Sequence, residues 1–381
     1  MEQPNPPLRR RTLEERRRWW IEAASATEAQ ARFFEGSGSD LDLAEVLIEN
    51  AVGWMPVPLG VAGLMVNGTN YQVPMATEEP SVIAAAGYAA SVAAKAGGFF
   101  AGAAAPVMRA QVFLEGCGPT AERQLETARA SLEAEARSLL TSMERRGGGL
   151  RGLSLARVAD LDVVVVRLDV DVRDALGANL LNTLAETLTP SLENSLGGRK
   201  LMAIVSNDAG LRPAWAEVKL SLDPERARRI AVASQVAQAD PQRAVTHNKG
   251  IMNGVAALAL ATGNDTRALE AAVHAFAGAS GVYRGLSQWT AAGSELTGRI
   301  DLPLALATVG GSVGIHPTAR MALQLLGNPD SPTLCSIAAA LGLAQNFAAL
   351  NALTGEGIQH GHMALHDRRT EWLNRQNGGI A

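Results

Sequence analysis

The clearest strand pattern in the chain lies between residues 163 and 172. Apolar Val166, Leu168 and Val170 alternate with charged Arg167 and Asp169. Successive side chains of a β-strand point to opposite faces, so this alternation predicts a strand with one buried face and one solvent-exposed face.

Further strand and helix patterns surround this strand. Apolar runs of four to eight residues predict strands, whereas apolar residues at three- and four-residue spacing predict helices. The predicted strands are 110–114, 163–172, 201–206 and 215–222, and the predicted helices are 120–143 and a second that starts at Asp174. Two helices that cover one face of a small sheet are typical of a ferredoxin-like α/β domain. We therefore expect an inserted domain of this kind at 107–212.

The rest of the chain is mostly helical in pattern, which predicts an α+β protein of two domains. The most apolar run, 81–108, is interrupted by Lys95 and by several glycines. We expect a buried pair of helices there rather than a membrane span. The expected organisation is a large helix-rich domain in two parts, the insert, and a short C-terminal flap: 1–106, 107–212, 213–355 and 356–381.

Composition narrows the classes of function. Of the 381 residues, 47% are hydrophobic and 19% charged, and the formal net charge is −4. A chain without excess positive charge lacks the electrostatic field that nucleic-acid binding needs. Cys117 and Cys335 have no metal-ligand spacing, and they fit a reducing cytoplasm better than a disulfide scaffold. No apolar stretch follows the charged N-terminus, so we expect neither a signal peptide nor a membrane anchor.

One lysine occupies an unusual sequence context. Lys249 lies among Asn248, Gly250 and Asn253, and Asp265 follows sixteen residues later. Glycines let a ligand approach the backbone closely, and asparagines supply neutral donors and acceptors. A lysine in apolar surroundings needs a counter-charge, and Asp265 is the nearest obvious candidate. The alternative is a structural ion pair for Lys249 and a helix-capping role for Asp265.

Two other segments carry candidate chemistry. Glu78 and Glu79 precede Pro80, and adjacent side chains in an extended segment point in opposite directions, so one glutamate can face a cleft. The alternative is ordinary favourable electrostatics at a helix N-terminus. The turn at 171–179 joins the best strand to a helix, whose free N–H groups can hold a pyrophosphate close to Gly177. No Gly-x-Gly-x-x-Gly fingerprint follows a strand. The alternative is that the turn at 171–179, like most turns between a strand and a helix, binds no ligand.

Five segments, in the right order, resemble hydroxymethylglutaryl-CoA (HMG-CoA) reductase of the soluble bacterial class II type. The central match reads Thr-His-Asn-Lys-Gly-Ile-Met-Asn-Gly at 246–254, followed by Gly-Asn-Asp at 263–265. The other matches are Glu-Asn-Ala-Val-Gly at 49–53, Glu-Glu-Pro-Ser at 78–81, Asp-Ala-Leu-Gly-Ala-Asn at 174–179 and the histidine-containing 360–366.

The resemblance implies four catalytic residues. Lys249 would stabilise the oxygen that becomes negative when a carbonyl carbon receives a hydride, with Asp265 as its partner. Glu79 would protonate the developing alcohol, which requires a pKa raised by burial. His362 would protonate the departing thiolate. Only nineteen residues follow His362, so we expect a short tail where the family has a closing domain.

The resemblance also implies binding residues. Arg243 would pair with the free carboxylate of the substrate, with Ser81 and Asn253 as lesser contacts. The implied nicotinamide-dinucleotide site has no metal and comprises Asp174, Leu176, Gly177, Asn179, Asn207 and Arg137. In relatives that prefer NADH an acid is expected near the end of the long helix. Arg137 or Leu140 stands there, depending on the alignment, so we expect NAD(P)H use with NADPH slightly favoured.

The leading hypothesis is a cytoplasmic homo-oligomer that interconverts HMG-CoA with mevalonate and CoA, with its site at a dimer interface. The segment 49–53 resembles the family's dimer contact. One alternative is a CoA-thioester-binding protein that has lost turnover. Another is an acyl-CoA lyase or aldolase that uses Lys249 as a Schiff base, which leaves the dinucleotide turn unexplained.

Overall fold

The computed structural model describes residues 7–36 and 40–355. The predicted C-terminal flap, and His362 with it, lies outside these ranges. The helices are α1 Leu13–Ala23, α2 Glu28–Glu35, α3 Leu41–Leu47, α4 Pro80–Ala94, α5 Ala121–Leu139, α6 Thr141–Glu144, α7 Ala178–Leu196, α8 Pro224–Ala239, α9 Pro241–Ala261, α10 Thr266–Gly278, α11 Gly311–Ile315, α12 Pro317–Leu325 and α13 Ser331–Leu353. The strands are β1 Leu59–Val66, β2 Thr69–Ala76, β3 Phe100–Ala103, β4 Val107–Glu115, β5 Gly149–Arg157, β6 Val163–Asp171, β7 Arg199–Val205, β8 Pro213–Ser221, β9 Ser287–Ala292 and β10 Glu295–Pro303.

The expected ferredoxin-like arrangement is confirmed. Strands β4 to β7 form a four-stranded antiparallel sheet in the order β5-β6-β4-β7. Numbered along the chain, this is the 4-1-3-2 order of a β-α-β-β-α-β unit. Leu125 of α5 and Leu184 of α7 pack with Val112 and Val166 of the central strands, so both helices cover one face.

The segment that forms this small sheet is inserted between two strands of a second sheet. Strand β3 ends at Ala103 and β8 begins at Pro213, and the two strands pair with each other in the order β3-β8-β10-β9. The chain therefore leaves and re-enters the larger part of the molecule at neighbouring strands. The intervening residues build a hydrophobic core of their own.

Helix α13 forms the centre of the larger core. Most of its side chains are buried, and it packs against α9, α4, β3 and β8. Within the described ranges it is also the one helix long and apolar enough to cross a membrane, but 89% of that apolar window is buried inside the protein. Its apolar surface is therefore already covered by protein.

Two expectations about local structure are wrong. The apolar run 81–108 is not a helix pair, because α4 ends at Ala94 and β3 follows. Gly97 and Gly98 have left-handed φ angles of 91° and 86°, which turn the chain into the sheet. The second helix of the insert starts at Ala178 rather than at Asp174. Arg173 has a φ of 55°, so the residues between β6 and α7 form a turn.

Candidate active site

Helix α9 carries Lys249 in its middle, within a segment for which the sequence pattern predicted no helix. Asp240 caps the helix by accepting the Gln242 N–H, and Pro241 occupies the first turn, where its missing N–H is tolerated. On α9, Arg243 and Asn253 are partly exposed and Lys249 is exposed. A helix places residues three and four apart on one face, so Lys249 and Asn253 form a polar stripe, whereas Arg243 lies six residues before Lys249 and about 120° away around the helix.

Lys249 forms an ion pair with Glu79, which lies 170 residues earlier in the chain. The distance from Lys249 Nζ to Glu79 Oε2 is 3.0 Å, and Ser81 Oγ donates to Glu79 Oε1 at 2.9 Å. Glu79 is the residue before α4, and its side chain does not cap that helix. Its neighbour Glu78 is exposed, so the two glutamates diverge as the extended segment predicted. The carboxylate is thereby aimed at α9.

Asp265 does not pair with Lys249 within the described chain, so the prediction of that contact is wrong. Its Oδ1 accepts the N–H groups of Arg267 and Ala268 and thereby caps α10. Partial burial tends to raise the pKa of the Asp265 carboxyl, but these hydrogen bonds and the Arg267 guanidinium outweigh it and lower the pKa. Asp265 is ionised and lies at the end of the turn that follows α9.

Arg243 forms no ion pair with any residue in the described ranges. Partial burial lowers the pKa of its guanidinium, because desolvation disfavours the charged form. A half-buried arginine without a carboxylate partner is suited to bind a ligand carboxylate, because two of its N–H groups can donate to the two carboxylate oxygens.

The two glycines beside Lys249 differ in their surroundings. A Cβ on Gly254 would lie 2.5 Å from Gln345 Cγ and 3.1 Å from Leu341 Cγ, so Gly254 permits α9 to pack closely on α13. A Cβ on Gly250 would meet nothing within 4 Å. Only Gly250 leaves open space at the polar stripe.

The predicted dinucleotide turn has the expected glycine. Gly177 has a φ of 72° and opens α7, and a Cβ there would lie 2.5 Å from Val172 Cγ1. Asn179 is exposed at the start of the helix, and Leu176 is partly exposed. Asn207 is exposed in the loop after β7. Their exposed surface leaves the turn open to a ligand.

Two of the predicted cofactor residues have partners within the chain. Asp174 Oδ1 accepts the Ser331 N–H at 2.9 Å, so its carboxylate points to the start of α13. Arg137, near the end of α5, places Nη1 3.2 Å from Oε1 of Glu144. A carboxylate therefore lies beside Arg137, although neither alignment placed one at that position.

The chain matches one known protein family over most of its length. The model of the hydroxymethylglutaryl-coenzyme A reductase family matches residues 12–367. This chain belongs to that family. It is 39% identical over 374 residues to 3-hydroxy-3-methylglutaryl-coenzyme A reductase of Archaeoglobus fulgidus, covering 95% of this chain and 85% of that protein. It is 35% identical to a probable reductase of Borreliella burgdorferi, covering 91% and 82%.

The family assignment extends to the three-dimensional structure. The class II reductase of Streptococcus pneumoniae, solved with NADPH bound in open conformations, superposes with a TM-score of 0.87 at 40% identity. The match covers 91% of this chain and 99% of that one. The recognition of a class II reductase from the sequence is therefore confirmed.

Sequence reasoning missed the buried polar residues that hold α9 in this family member. His247 Nε2 lies 2.7 Å from Ser287 Oγ, which donates to Asn346 Oδ1 at 2.8 Å. Asn248 donates to Arg284 O and accepts the Leu286 N–H. Burial, reinforced by the charge of Arg243, lowers the pKa of His247 to about 4, so its ring is neutral at physiological pH. Helical spacing was the available signal, because it places His247 opposite the exposed stripe.

The segment that resembles the family's dimer contact is exposed in the single chain. Val52 is 99% exposed and Met55 88% exposed. Asn50 has a φ of 56°, an uncommon angle outside glycine that asparagine tolerates. Apolar side chains as exposed as these are typical of a surface that contacts another protein chain.

Proposed function

We propose that this chain is an NAD(P)H-dependent HMG-CoA reductase that interconverts HMG-CoA with mevalonate and CoA. The observation that carries the proposal is the Lys249–Glu79 ion pair on α9, a helix that also carries an arginine with no carboxylate partner among the described residues. The family match supplies the substrate class, and the NADPH-bound streptococcal relative supports the cofactor class.

The proposed reaction needs two hydrides, which the reduced nicotinamide supplies. The first converts the thioester carbonyl into a hemithioacetal, whose collapse releases the CoA thiolate and leaves an aldehyde. The second converts that aldehyde into the primary alcohol. Negative charge develops on the carbonyl oxygen in each step, and a fixed ammonium such as Lys249 stabilises it.

Proton delivery is assigned to two groups, and a third group supplies charge. Glu79, whose carboxylate is held by Lys249 and by the Ser81 hydroxyl, is assigned to the developing alcohol, to which it delivers a proton once its carboxyl group is protonated. Asp265 supplies a negative charge at the far end of α9. His362, which lies outside the described residues, is the proposed acid for the departing thiolate.

Substrate contacts are assigned to polar groups on α9 and at the start of α4. We assign the substrate carboxylate to Arg243, with Ser81 and Asn253 as further polar contacts. The dinucleotide is assigned to the turn around Gly177, with Leu176, Asn179 and Asn207 on its open side and Arg137 near the adenosine end. Asp174 is assigned to the same turn through its backbone.

We also infer a homodimer or larger homo-oligomer in the cytoplasm, with the site at the subunit interface. The exposed Val52 and Met55 support it, because burying two such side chains stabilises an assembly by roughly 1.5–3 kcal/mol each.

In the Schiff-base alternative Lys249 is a nucleophile, whereas here its ammonium donates to a carboxylate.

The test is reduced-nicotinamide absorbance with HMG-CoA as substrate. We expect two NAD(P)H to be consumed for each CoA released. Lys249→Ala should abolish turnover, because removing a charge that stabilises an oxyanion costs roughly 3–4 kcal/mol. Lys219→Ala, at an exposed lysine on β8, is the matched control and should retain full activity. A Lys249→Ala enzyme that keeps a tenth of normal turnover would remove Lys249 from the mechanism.

A further inference from the structure

One loop contacts both predicted subsites. Residues 304–312, here termed the strap, follow β10 and enter α11. Asn264, which directly precedes Asp265, binds the middle of the strap through both ends of its amide. The Ala307 N–H donates to Asn264 Oδ1 at 2.7 Å, and Asn264 Nδ2 donates to Ala307 O at 3.0 Å. Asn264 is only 7% exposed, so water does not replace these bonds.

The other side of the strap holds the dinucleotide turn. The N–H groups of Thr308 and Val309 both donate to Asp174 O, at 2.8 and 3.2 Å. The Asp174 carboxylate in turn accepts the Ser331 N–H at the start of α13. The carboxylate of this predicted cofactor residue is therefore used to attach the turn to the large domain.

Two more residues, Arg212 and Ser312, tie the strap to its surroundings. Arg212, which is 3% exposed, donates from Nη2 to Leu306 O at 3.0 Å, and its own carbonyl accepts the Leu304 N–H. Ser312 Oγ donates to Gly263 O at 2.8 Å. Buried backbone groups are costly to leave unpaired, so moving the strap away from either subsite loses several of these bonds together.

We propose that Asn264 is a positioning residue that keeps the dinucleotide turn in register with the Lys249–Asp265 region through the strap. Asn264 also joins the two helices at this point, since its N–H donates to Ala259 O at the end of α9. Hydride transfer depends on sub-ångström placement, and a displacement of about 1 Å can cost about a hundredfold in rate. The inference rests on the proposed function, because it concerns the cofactor of that reaction.

Asn264→Asp is the direct test. The change preserves shape and the acceptor for the Ala307 N–H, but it places a carboxylate oxygen where a donor faced Ala307 O. Asn67 offers a matched control, because it binds Ala101 in the same two-way manner, at 2.9 and 3.0 Å, between the β1–β2 hairpin and β3. Ser312→Ala removes an exposed tie of the strap and is the variant that preserves the fold.

The readouts are the Kd of NADPH, measured by fluorescence titration without substrate, and KM and kcat for both substrates in the full-length enzyme. We expect Asn264→Asp to raise the Kd of NADPH and to lower kcat about tenfold or more. Ser312→Ala should shift both in the same direction by a few fold. Asn67→Asp should lower thermal stability alone.

Equal kinetic behaviour of folded Asn264→Asp and Asn67→Asp would overturn the proposal. So would a change in Asn264→Asp confined to the thermal midpoint. Failure of the unmodified enzyme to oxidise cofactor would instead refute the proposed reaction. The Kd comparison needs no turnover, so it decides the role of Asn264 separately.

Discussion

His247 and Lys249 are two residues apart on α9 and lie in opposite environments. The Lys249 side chain is 63% exposed and meets a carboxylate, whereas His247 is 2% exposed and meets a serine and an asparagine. The two residues therefore have different roles: Lys249 presents its side chain to the site, and neutral His247 holds the helix that carries it.

The buried histidine makes stability depend on pH. Its pKa falls from 6.5 to about 4 on folding, so the unfolded chain binds the extra proton between these values. The contribution is complete above pH 6.5 and is lost as pH falls towards 4, amounting to about 3 kcal/mol. We expect the free energy of unfolding to fall less steeply over this window in His247→Gln than in the unmodified protein. Parallel curves from denaturant titrations would contradict this assignment.

Arg137 is predicted to influence cofactor choice. A carboxylate accepts from the ribose 2′-hydroxyl and repels a 2′-phosphate, and an arginine does the reverse. We expect at least parity for NADPH in the unmodified enzyme and a shift towards NADH in Arg137→Asp, measured as the ratio of kcat/KM values. Arg123→Asp makes the same charge change about four turns away on α5 and is the control. A hundredfold advantage for NADH in the unmodified enzyme would refute the idea.

At the scale of elements, α9 combines a packing face and a ligand face. Gly254→Ala should destabilise the protein by roughly 1–3 kcal/mol, since its methyl group overlaps Gln345 on α13. Gly250→Ala should stabilise it by roughly 0.5–1 kcal/mol, because the site is open and alanine favours helix.

The variants Gly250→Ala and Gly254→Ala also distinguish an effect on protein stability from an effect on substrate binding. The added methyl group at Gly250 enters the space beside Lys249, so KM for HMG-CoA should rise although the protein is more stable. Thermal midpoints and steady-state kinetics of both variants provide the measurement. An unchanged KM in Gly250→Ala would show that substrate does not approach α9 at this glycine.

At the scale of the molecule, the exposed apolar segment predicts an obligate oligomer. Val52→Asp with Met55→Asp should shift the protein towards monomer and lower activity, because charges at a buried interface lose hydration without gaining partners. Sedimentation velocity at micromolar concentration checks the assembly state. The double variant Val232→Asp with Val236→Asp, on the exposed face of α8, is the control. An active monomer of the unmodified protein would contradict the inference.

The sequence determined the elements whose signals are local. The alternation around Val166 and Leu168 fixed β6, because a strand's burial pattern repeats every two residues. Asp265 was recognisable as a possible cap, since capping depends on neighbouring N–H groups. The ferredoxin-like order and the family followed from several such signals in series.

Only the tertiary structure decided the contacts between distant segments. Glu79 rather than Asp265 meets Lys249, and Asp174 meets Ser331 across 157 residues. Such pairings depend on how helices and sheets pack, for which no local periodicity exists. Strand β3, which follows Ala94, forms because its backbone hydrogen-bonds to β8. Pairing with this distant strand outweighed the helix that the apolar composition of the run had predicted.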